Sequence, residues 1–166
     1  MAKVAGEKPL SEAIRERRAT PSFEKVPIHS IDLEKIIRAG LFAPSAYNLQ
    51  PWRFVVVRER EHKQKLRAAA FNQAKVEQAS AVIVACGDPL GWKDGDLEEV
   101  IHLGKQHGYV NDERAPRMRA AVTGLLGGTP GKAGGLEPAI DLWVNRHVMI
   151  AFTTMMWTAE TLGYDT

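Results

Sequence analysis

The segment from Ala43 to Val57 constrains the fold more than any other part of this chain. An apolar pattern of helical spacing stops at Pro44, a polar loop follows, and Pro51 leads into a run rich in valine. Each proline fixes its own φ angle and restricts the residue before it, so the loop is stiff. The sequence therefore predicts a helix, a rigid polar loop and a strand. Such a loop can present fixed hydrogen-bonding groups to a flat ligand with polar edges.

Hydrophobic periodicity and capping signals predict the other elements along the chain. The predicted helices cover Ser11 to about 18, Ser30 to before Pro44, Glu61 to about 73, Asp94–Gly104, Arg114–Leu126 and Asp141–Leu162. Of these, the helix from Glu61 should turn Leu66, Ala69 and Ala70 inward. The predicted strands cover Arg53–Arg58, which is expected to be buried, and Ser80–Cys86. The glycine-rich segment Gly124–Gly135 is expected to be a loop.

The helix predicted at Asp141–Leu162 is apolar over more than one face. A helix that is apolar all round is usually buried. In a domain of this size, we expect one of its faces to meet a second subunit. Gly163 is the expected stop signal for this helix.

Length and composition favour one ordinary globular domain over residues 1–166. The formal net charge is +2 and the basic residues are dispersed, which argues against a nucleic-acid-binding or membrane-binding surface. The longest uncharged apolar segment, His147–Ala159, is shorter than the roughly 20 residues of a membrane span. The N-terminal residues lack the pattern of a signal peptide, so a cytoplasmic location is expected.

Cysteine and histidine provide no sign of a metal centre. Cys86 is the single cysteine and lies in an apolar run, so we expect a buried strand residue rather than a reactive thiol. The five histidines lack the spacing of metal ligands.

The sequence Arg17-Arg18-Ala-Thr-Pro-Ser-Phe23, together with the Ala43–Val57 segment, resembles the FMN-dependent nitroreductase family. The resemblance implies an α+β, nitroreductase-like three-layer fold, in which helices flank a central mixed sheet. It also implies a homodimer with a long buried helix at its interface, and FMN sites at the subunit boundary. By comparison with the family pattern, the chain is expected to lack the C-terminal strand and arm that follow residue 163.

The resemblance places Arg17 and Arg18 at the phosphate and ribityl chain of FMN. Guanidinium groups suit this role because they form paired, charge-assisted hydrogen bonds with phosphate. The alternative is an exposed arginine pair favoured by the dipole at the end of a helix. Ala19 and Pro21 occupy cofactor-binding positions where the family commonly has serine and a basic residue, and so each lacks a polar contact.

In the family pattern, Pro44, Ser45, Ala46 and Asn48 form the loop around the flavin ring, and Gln50 anchors that loop together with Trp52. The alternative is a rigid helix-to-strand turn without a ligand.

Asn72 and Lys75 match a family segment that contacts the pyrimidine edge of the flavin. A fixed cation there would stabilise the negative charge of the reduced ring. The alternative is a solvated lysine at a helix end.

The resemblance implies an FMN-dependent oxidoreductase that uses NAD(P)H to reduce a small acceptor, such as a nitroaromatic or a quinone, in a ping-pong reaction. No side chain would act as an acid or base, so no catalytic residue is predicted. Two alternatives remain open: a flavin-binding or flavin-free dimeric module without useful turnover, and a different flavin reaction such as dehalogenation or flavin breakdown.

Overall fold

We analysed a computed structural model, which describes residues 7–24, 26–127 and 140–166. The secondary-structure elements in chain order are α1 (Leu10–Glu16), α2 (Ser30–Leu41), a 3₁₀ turn (Ala46–Asn48), β1 (Trp52–Val57), α3 (Arg60–Ala69), α4 (Ala74–Gln78), β2 (Val82–Gly87), a π-helical turn (Trp92–Asp96), α5 (Leu97–Gln106), α6 (Arg114–Leu126) and α7 (Ile140–Thr161).

Helix α1 begins one residue earlier and ends two residues earlier than predicted. The predicted cap, Ser11, lies inside the helix, and Pro9 precedes its first residue. The carbonyl of Pro9 accepts hydrogen bonds from the amides of Glu12 and Ala13. Arg17 leaves the helical conformation at φ −51° and ψ 129°, which ends the helix.

Helix α2 confirms the prediction that a helix starts at Ser30 and ends before Pro44. Leu33 and Ile36 are buried on its apolar face, whereas Leu41 at the end of the predicted stripe is exposed.

Strands β1 and β2 pair in a two-stranded sheet, and both lie within two residues of their predicted positions. The amide of Asp88, just after β2, donates to the carbonyl of Pro51, just before β1, so the strands are antiparallel. The prediction that β1 is buried is wrong, because Val55 is 52% exposed. Cys86 is also exposed rather than buried. A sheet of two strands covers little of its own surface, which accounts for both differences.

The helix predicted from Glu61 to about residue 73 ends at Ala69 in α3, and the short helix α4 that follows was not predicted. Phe71 and Asn72 separate them, with positive φ angles of 53° and 58°. Asparagine tolerates this left-handed conformation better than most residues do. The predicted inward face is only partly buried, because Ala69 is exposed while Leu66 and Ala70 are half-buried.

Helices α5 and α6 confirm the two helices predicted in this part of the chain, although α5 begins and ends later than predicted. The turn at Trp92–Asp96 replaces the start of the predicted helix, and α5 then extends to Gln106. Helix α6 spans the predicted residues and includes Gly124, where the sequence predicted that a loop begins. Most of that predicted loop, residues 128–135, lies outside the described residues.

Helix α7 is the longest helix among the described residues, as predicted, with 22 residues. Its fully buried residues recur every three or four positions and form one stripe: Val144, Val148, Ala151, Met155 and Ala159. Leu142, Met149 and Ile150 on the helix are exposed in the single chain, and the expectation that one face meets a second subunit stays a prediction. Gly163 has a φ of 81°, and its amide donates to the carbonyl of Glu160, so this glycine ends the helix as predicted.

Contacts divide the chain into two compact units, whereas the sequence analysis treated it as one domain. The first unit comprises residues 1–43, 54–85 and 150–166, and the second comprises residues 44–53 and 86–149. In the first unit, α2, the residue Ile28 before it and the C-terminal half of α7 supply the buried cluster Ile28, Leu33, Ile36, Met155 and Ala159. In the second unit, the buried cluster is Leu49, Leu97, Ile101, Ala115, Val122 and Leu126.

Candidate flavin-binding segments

Arg17 and Arg18 follow directly after α1 in the first unit, but their side chains differ in role. The Arg18 guanidinium donates from Nη1 to the carbonyl oxygens of Arg15 at 2.8 Å and Arg17 at 2.9 Å. It therefore covers the carbonyl end of α1, as the dipole alternative anticipated. The guanidinium of Arg17 forms no hydrogen bond or ion pair with any residue that the structure describes. Ala19 and Pro21 are exposed and carry no polar side-chain group.

Helix α4 lies beside this segment within the first unit. The amide of Phe23 donates to Oε1 of Gln78, at the end of α4, over 3.3 Å. Lys75, in the same helix, is half-buried, and its ammonium group has no hydrogen-bond or ion-pair partner in the described parts of the chain. The first unit therefore places two uncompensated cations, Arg17 and Lys75, on neighbouring segments.

Asn72 is held by Arg67 rather than left free. Nε of Arg67 donates to Oδ1 of Asn72 at 2.9 Å, and its Nη1 donates to Glu77 at 3.1 Å. The two amide N–H donors of Asn72 are left for a ligand, together with the second lone pair of its oxygen. Hydrogen bonds from Gln64 and Arg67 lower the pKa of the Glu77 carboxyl group, so it stays ionised and ties α4 to α3.

The loop predicted to face the flavin lies in the second unit and is held by several hydrogen bonds. Oγ of Ser45 accepts from the amide of Gln50 at 2.9 Å, and the carbonyl of Ser45 accepts from the amide of Asn48 at 3.0 Å. Leu49, between them, is only 3% exposed and anchors the loop in the buried cluster of that unit. Pro44 is exposed, and Ala46 is half-buried.

Backbone strain is concentrated in the same loop. Tyr47, Asn48 and Gln50 have φ angles of 56°, 57° and 47°. Non-glycine residues in this region each cost free energy and tend to cluster where function needs a particular shape. Surrounding contacts must hold these angles, and the stiffness that the prolines predict stays a prediction.

His147 is a residue of this site that the sequence analysis did not single out. From α7, its Nε2 accepts a hydrogen bond from the amide of Ala46 at 3.1 Å, and its ring packs on that of Trp143 with centroids 4.2 Å apart. The available signal was the four-residue spacing of two aromatic rings on one helix. The histidines were considered only as metal ligands.

Arg53 supports the segment that follows β2 in the second unit. Its Nη2 is 2.9 Å from Asp88 and 3.0 Å from Asp96, and the hydrogen bond to Asp96 raises the pKa of the guanidinium. Oδ1 of Asp88 accepts in turn from the amides of Leu90 and Gly91.

Two classes of site are absent from the described residues. No group of three or more histidine, cysteine, aspartate or glutamate side chains could hold a metal ion there. None of the helices in the described ranges is long and apolar enough to cross a membrane.

The family pattern extends over almost the whole chain, since a model of the nitroreductase family matches residues 14–166. The chain belongs to the nitroreductase family. This nitroreductase-family chain is 40% identical over 159 residues to a Bacillus subtilis protein provisionally named NAD(P)H nitroreductase MhqN, covering 95% of this chain and 73% of the relative. It is 48% identical over 110 residues to a Thermus thermophilus protein named NADH dehydrogenase, covering 66% of this chain and 51% of that relative.

The fold is also that of a nitroreductase. A crystal structure of a provisionally assigned nitroreductase from Exiguobacterium sibiricum, in complex with FMN, superposes with a TM-score of 0.82. The two proteins are 27% identical, and the alignment covers 98% of this chain and 75% of the other. This confirms the predicted fold class. The chain spans about half the length of the Thermus relative.

Proposed function

We propose that this protein is an FMN-dependent oxidoreductase that uses NAD(P)H to reduce a small acceptor. The observation that carries the proposal is the pair of cations in the first unit, Arg17 and Lys75, which have no counterion among the described residues. FMN combines a phosphate dianion with a ring that gains negative charge on reduction, and so it offers both cations a partner. Family membership and the FMN in the Exiguobacterium relative support the same cofactor.

The residues present fit an anionic group with a flat, polar-edged ring. Arg17 would hold the phosphate, with Arg18 adding the donors that its contacts at the helix end leave over. Asn72 would offer N–H groups to the ring edge, since its oxygen is held by Arg67. Ala19 and Pro21 leave space but offer no side-chain hydrogen bond.

The strained loop would position the ring. Pro44 and the hydrogen bonds of Ser45 and Gln50 fix its shape, and by the family pattern Ala46 and Asn48 would face the flavin. Pre-formed loops of this kind reduce the ordering cost of binding. We propose that the protein forms a homodimer, since the family pattern would place this loop at a subunit boundary.

Bound FMN would supply the reversible uptake of a hydride, which lets NAD(P)H and the acceptor react in turn. This corresponds to a ping-pong reaction, and we propose nitroaromatics or quinones as the acceptor class. In this scheme Lys75 raises the electron affinity of the site by electrostatic stabilisation, and no side chain transfers a proton.

The proposal is tested by titrating the purified 166-residue chain with FMN and then assaying NADH and NADPH oxidation with nitrobenzoate or benzoquinone. We expect a yellow protein with saturable FMN binding and acceptor-dependent oxidation. Arg17→Gln should weaken FMN binding about tenfold or more, because a hydrogen bond between charged groups is lost. Arg58→Gln, at an exposed arginine after β1, is the matched control and should leave binding unchanged.

A specific observation favours the module without turnover as the second candidate. Ala19 and Pro21 replace polar family residues, so the affinity for FMN would be lower than is usual in the family. Bound FMN without oxidation of NADH or NADPH would favour this alternative. A colourless protein that binds no added FMN would contradict the oxidoreductase and the flavin-binding module, and would leave only the flavin-free module.

A further inference from the structure

The imidazole of His147 has an assignable protonation state because both its partners are backbone groups. Nδ1 lies 2.7 Å from the carbonyl oxygen of Trp143, and a carbonyl can only accept a hydrogen bond. Nε2 lies 3.1 Å from the amide nitrogen of Ala46, and an amide N–H can only donate. The ring is therefore neutral, with its proton on Nδ1 and with a lone pair on Nε2 that accepts the hydrogen bond.

This lone pair satisfies a donor that the loop itself leaves open. Ala46 begins the 3₁₀ turn, and the preceding Ser45 makes no side-chain capping hydrogen bond to it. Oγ of Ser45 accepts instead from the amide of Gln50, at the far end of the loop. His147 thus takes the place of an N-terminal cap, from a residue about a hundred positions away in the sequence.

The bond to Ala46 restrains a loop that stores strain. Tyr47, Asn48 and Gln50 all have positive φ angles, and such angles persist only where surrounding contacts impose them. The hydrogen bond to Ser45 holds the end of the loop, and the buried side chain of Leu49 holds its middle. The hydrogen bond to His147 holds its beginning. Removing the acceptor at Nε2 frees the first residue of the turn.

We propose that His147 is a positioning residue for the flavin loop, and that protonation of its Nε2 loosens the loop and lowers the affinity for FMN. The part that concerns FMN rests on the proposed function; the part that concerns the loop does not. A proton on Nε2 would place two donors face to face and abolish the hydrogen bond from Ala46. Histidine is the side chain that changes charge near neutral pH.

In the described ranges, the imidazole of His147 has no charged partner that would take part in this protonation step. Its partners in the described ranges are two backbone groups and the aromatic ring of Trp143, and no carboxylate there forms an ion pair with it. The neighbouring charged residue along α7, Arg146, is exposed.

The first test needs no flavin. Nitrogen-15 NMR of the imidazole should show the Nδ1–H tautomer at neutral pH, and hydrogen exchange should show a protected Ala46 amide. His147→Gln keeps an acceptor at the position of Nε2, whereas His147→Asn retains only a group at the position of Nδ1. Exchange at Ala46 should accelerate about tenfold in the Asn variant and stay within about threefold of wild type in the Gln variant.

The second test measures FMN affinity at about pH 7.5 and about pH 5.5. The Asn variant should bind roughly tenfold more weakly than wild type at the higher pH, and the Gln variant should bind nearly as well as wild type. Because the FMN phosphate also titrates in this range, the Gln variant is the reference for the pH effect. Wild type should lose more affinity on acidification than this variant does.

His62→Gln, on the exposed surface of α3, is the control for removing a histidine. An Nε2–H tautomer in the wild type, or equal Ala46 exchange in the Gln and Asn variants, would overturn the proposal. If the Asn variant does not fold, the tautomer of the wild-type imidazole still tests the proposal. If no variant binds FMN, the proposed function fails, while the tautomer and exchange data still test the role of His147 in the loop.

Discussion

The side chain of Val144 closes over the α-carbon of Gly87. A Cβ atom built on Gly87 would lie 2.5 Å from Cγ1 of Val144. Val144 is buried in α7, and Gly87 is the last residue of β2. The missing side chain therefore lets this part of the helix approach the end of the strand more closely than any other residue type would allow.

Gly87→Ala should destabilise the protein by about 1–3 kcal/mol, because the β-branched side chain of Val144 has little freedom to move aside. Urea denaturation measures the change. Gly124→Ala is the matched control, since a Cβ at that position in α6 meets nothing within 4 Å. We expect that variant to be more stable by about 0.5–1 kcal/mol, as helix propensity predicts. Equal effects at the two glycines would contradict the close approach.

Glu77→Gln should destabilise the protein at neutral pH and much less in acid. The pKa of Glu77 is lowered in the folded chain, first by the hydrogen bond from Gln64 and then by that from Arg67. A lowered carboxyl pKa contributes stability above the ordinary carboxyl value, and that stability is lost as the pH falls. The difference in melting temperature between wild type and variant should therefore shrink between pH 7 and about pH 3.

Glu61→Gln is the control for this titration. Glu61 lies on α3, the helix to which Glu77 is bound, but its ion pair is with Lys65 on the surface. Surface pairs of this kind contribute little, so this variant should melt near the wild-type temperature at both pH values. A Glu77→Gln effect that persists unchanged in acid would assign the loss to packing rather than to charge.

Lys75→Gln should make the midpoint potential of bound FMN more negative if the proposed cofactor binds. Removing about 1–2 kcal/mol of electrostatic stabilisation from the reduced state corresponds to roughly 20–40 mV for a two-electron couple. Equilibration with a reference dye measures the potential. Lys65→Gln removes a lysine that is paired with Glu61 on α3 and should leave the potential unchanged. An unchanged potential in the Lys75 variant would remove this residue from the site.

The parts of the fold that the sequence predicted are those governed by neighbouring residues. The prolines at 44 and 51 bracket the loop, and the spacing of Leu33 and Ile36 defines the buried face of α2. Gly163 ends α7 through its own backbone conformation. Each of these signals acts over a few positions, and so it can be read from a short stretch of sequence.

The differences arise where a specific side-chain contact decides, and of three such contacts only that of His147 joins residues far apart in the sequence. Arg67 holds Asn72 in a left-handed turn just after α3, so the helix predicted to about residue 73 ends earlier. Arg18 turns back to the end of α1 instead of remaining available beside Arg17. His147 is joined to Ala46 by a hydrogen bond that no local pattern encodes.

Comparing Leu49→Ala with a control variant should distinguish an effect on the stability of the second unit from an effect on the shape of its loop. Leu49 is 3% exposed and belongs to the same buried cluster as Leu126, which is 1% exposed. Truncating either leucine removes the same methyl groups from one core, and each should cost about 2–5 kcal/mol of unfolding free energy. Leu126→Ala is therefore a control with a matched loss of stability.

Of these two leucines, only Leu49 lies in the flavin loop, between Ser45 and Gln50, whose hydrogen bond closes the loop. Its truncation frees the middle of a strained turn, so residues 45–50 can relax toward ordinary backbone angles. We expect Leu49→Ala to weaken FMN binding well beyond the effect of Leu126→Ala, measured below the melting temperature of both variants. Equal affinities would show that the loop keeps its shape without this anchor, since the core damage is the same in each. A larger loss in the Leu126 variant would place the flavin elsewhere in the second unit.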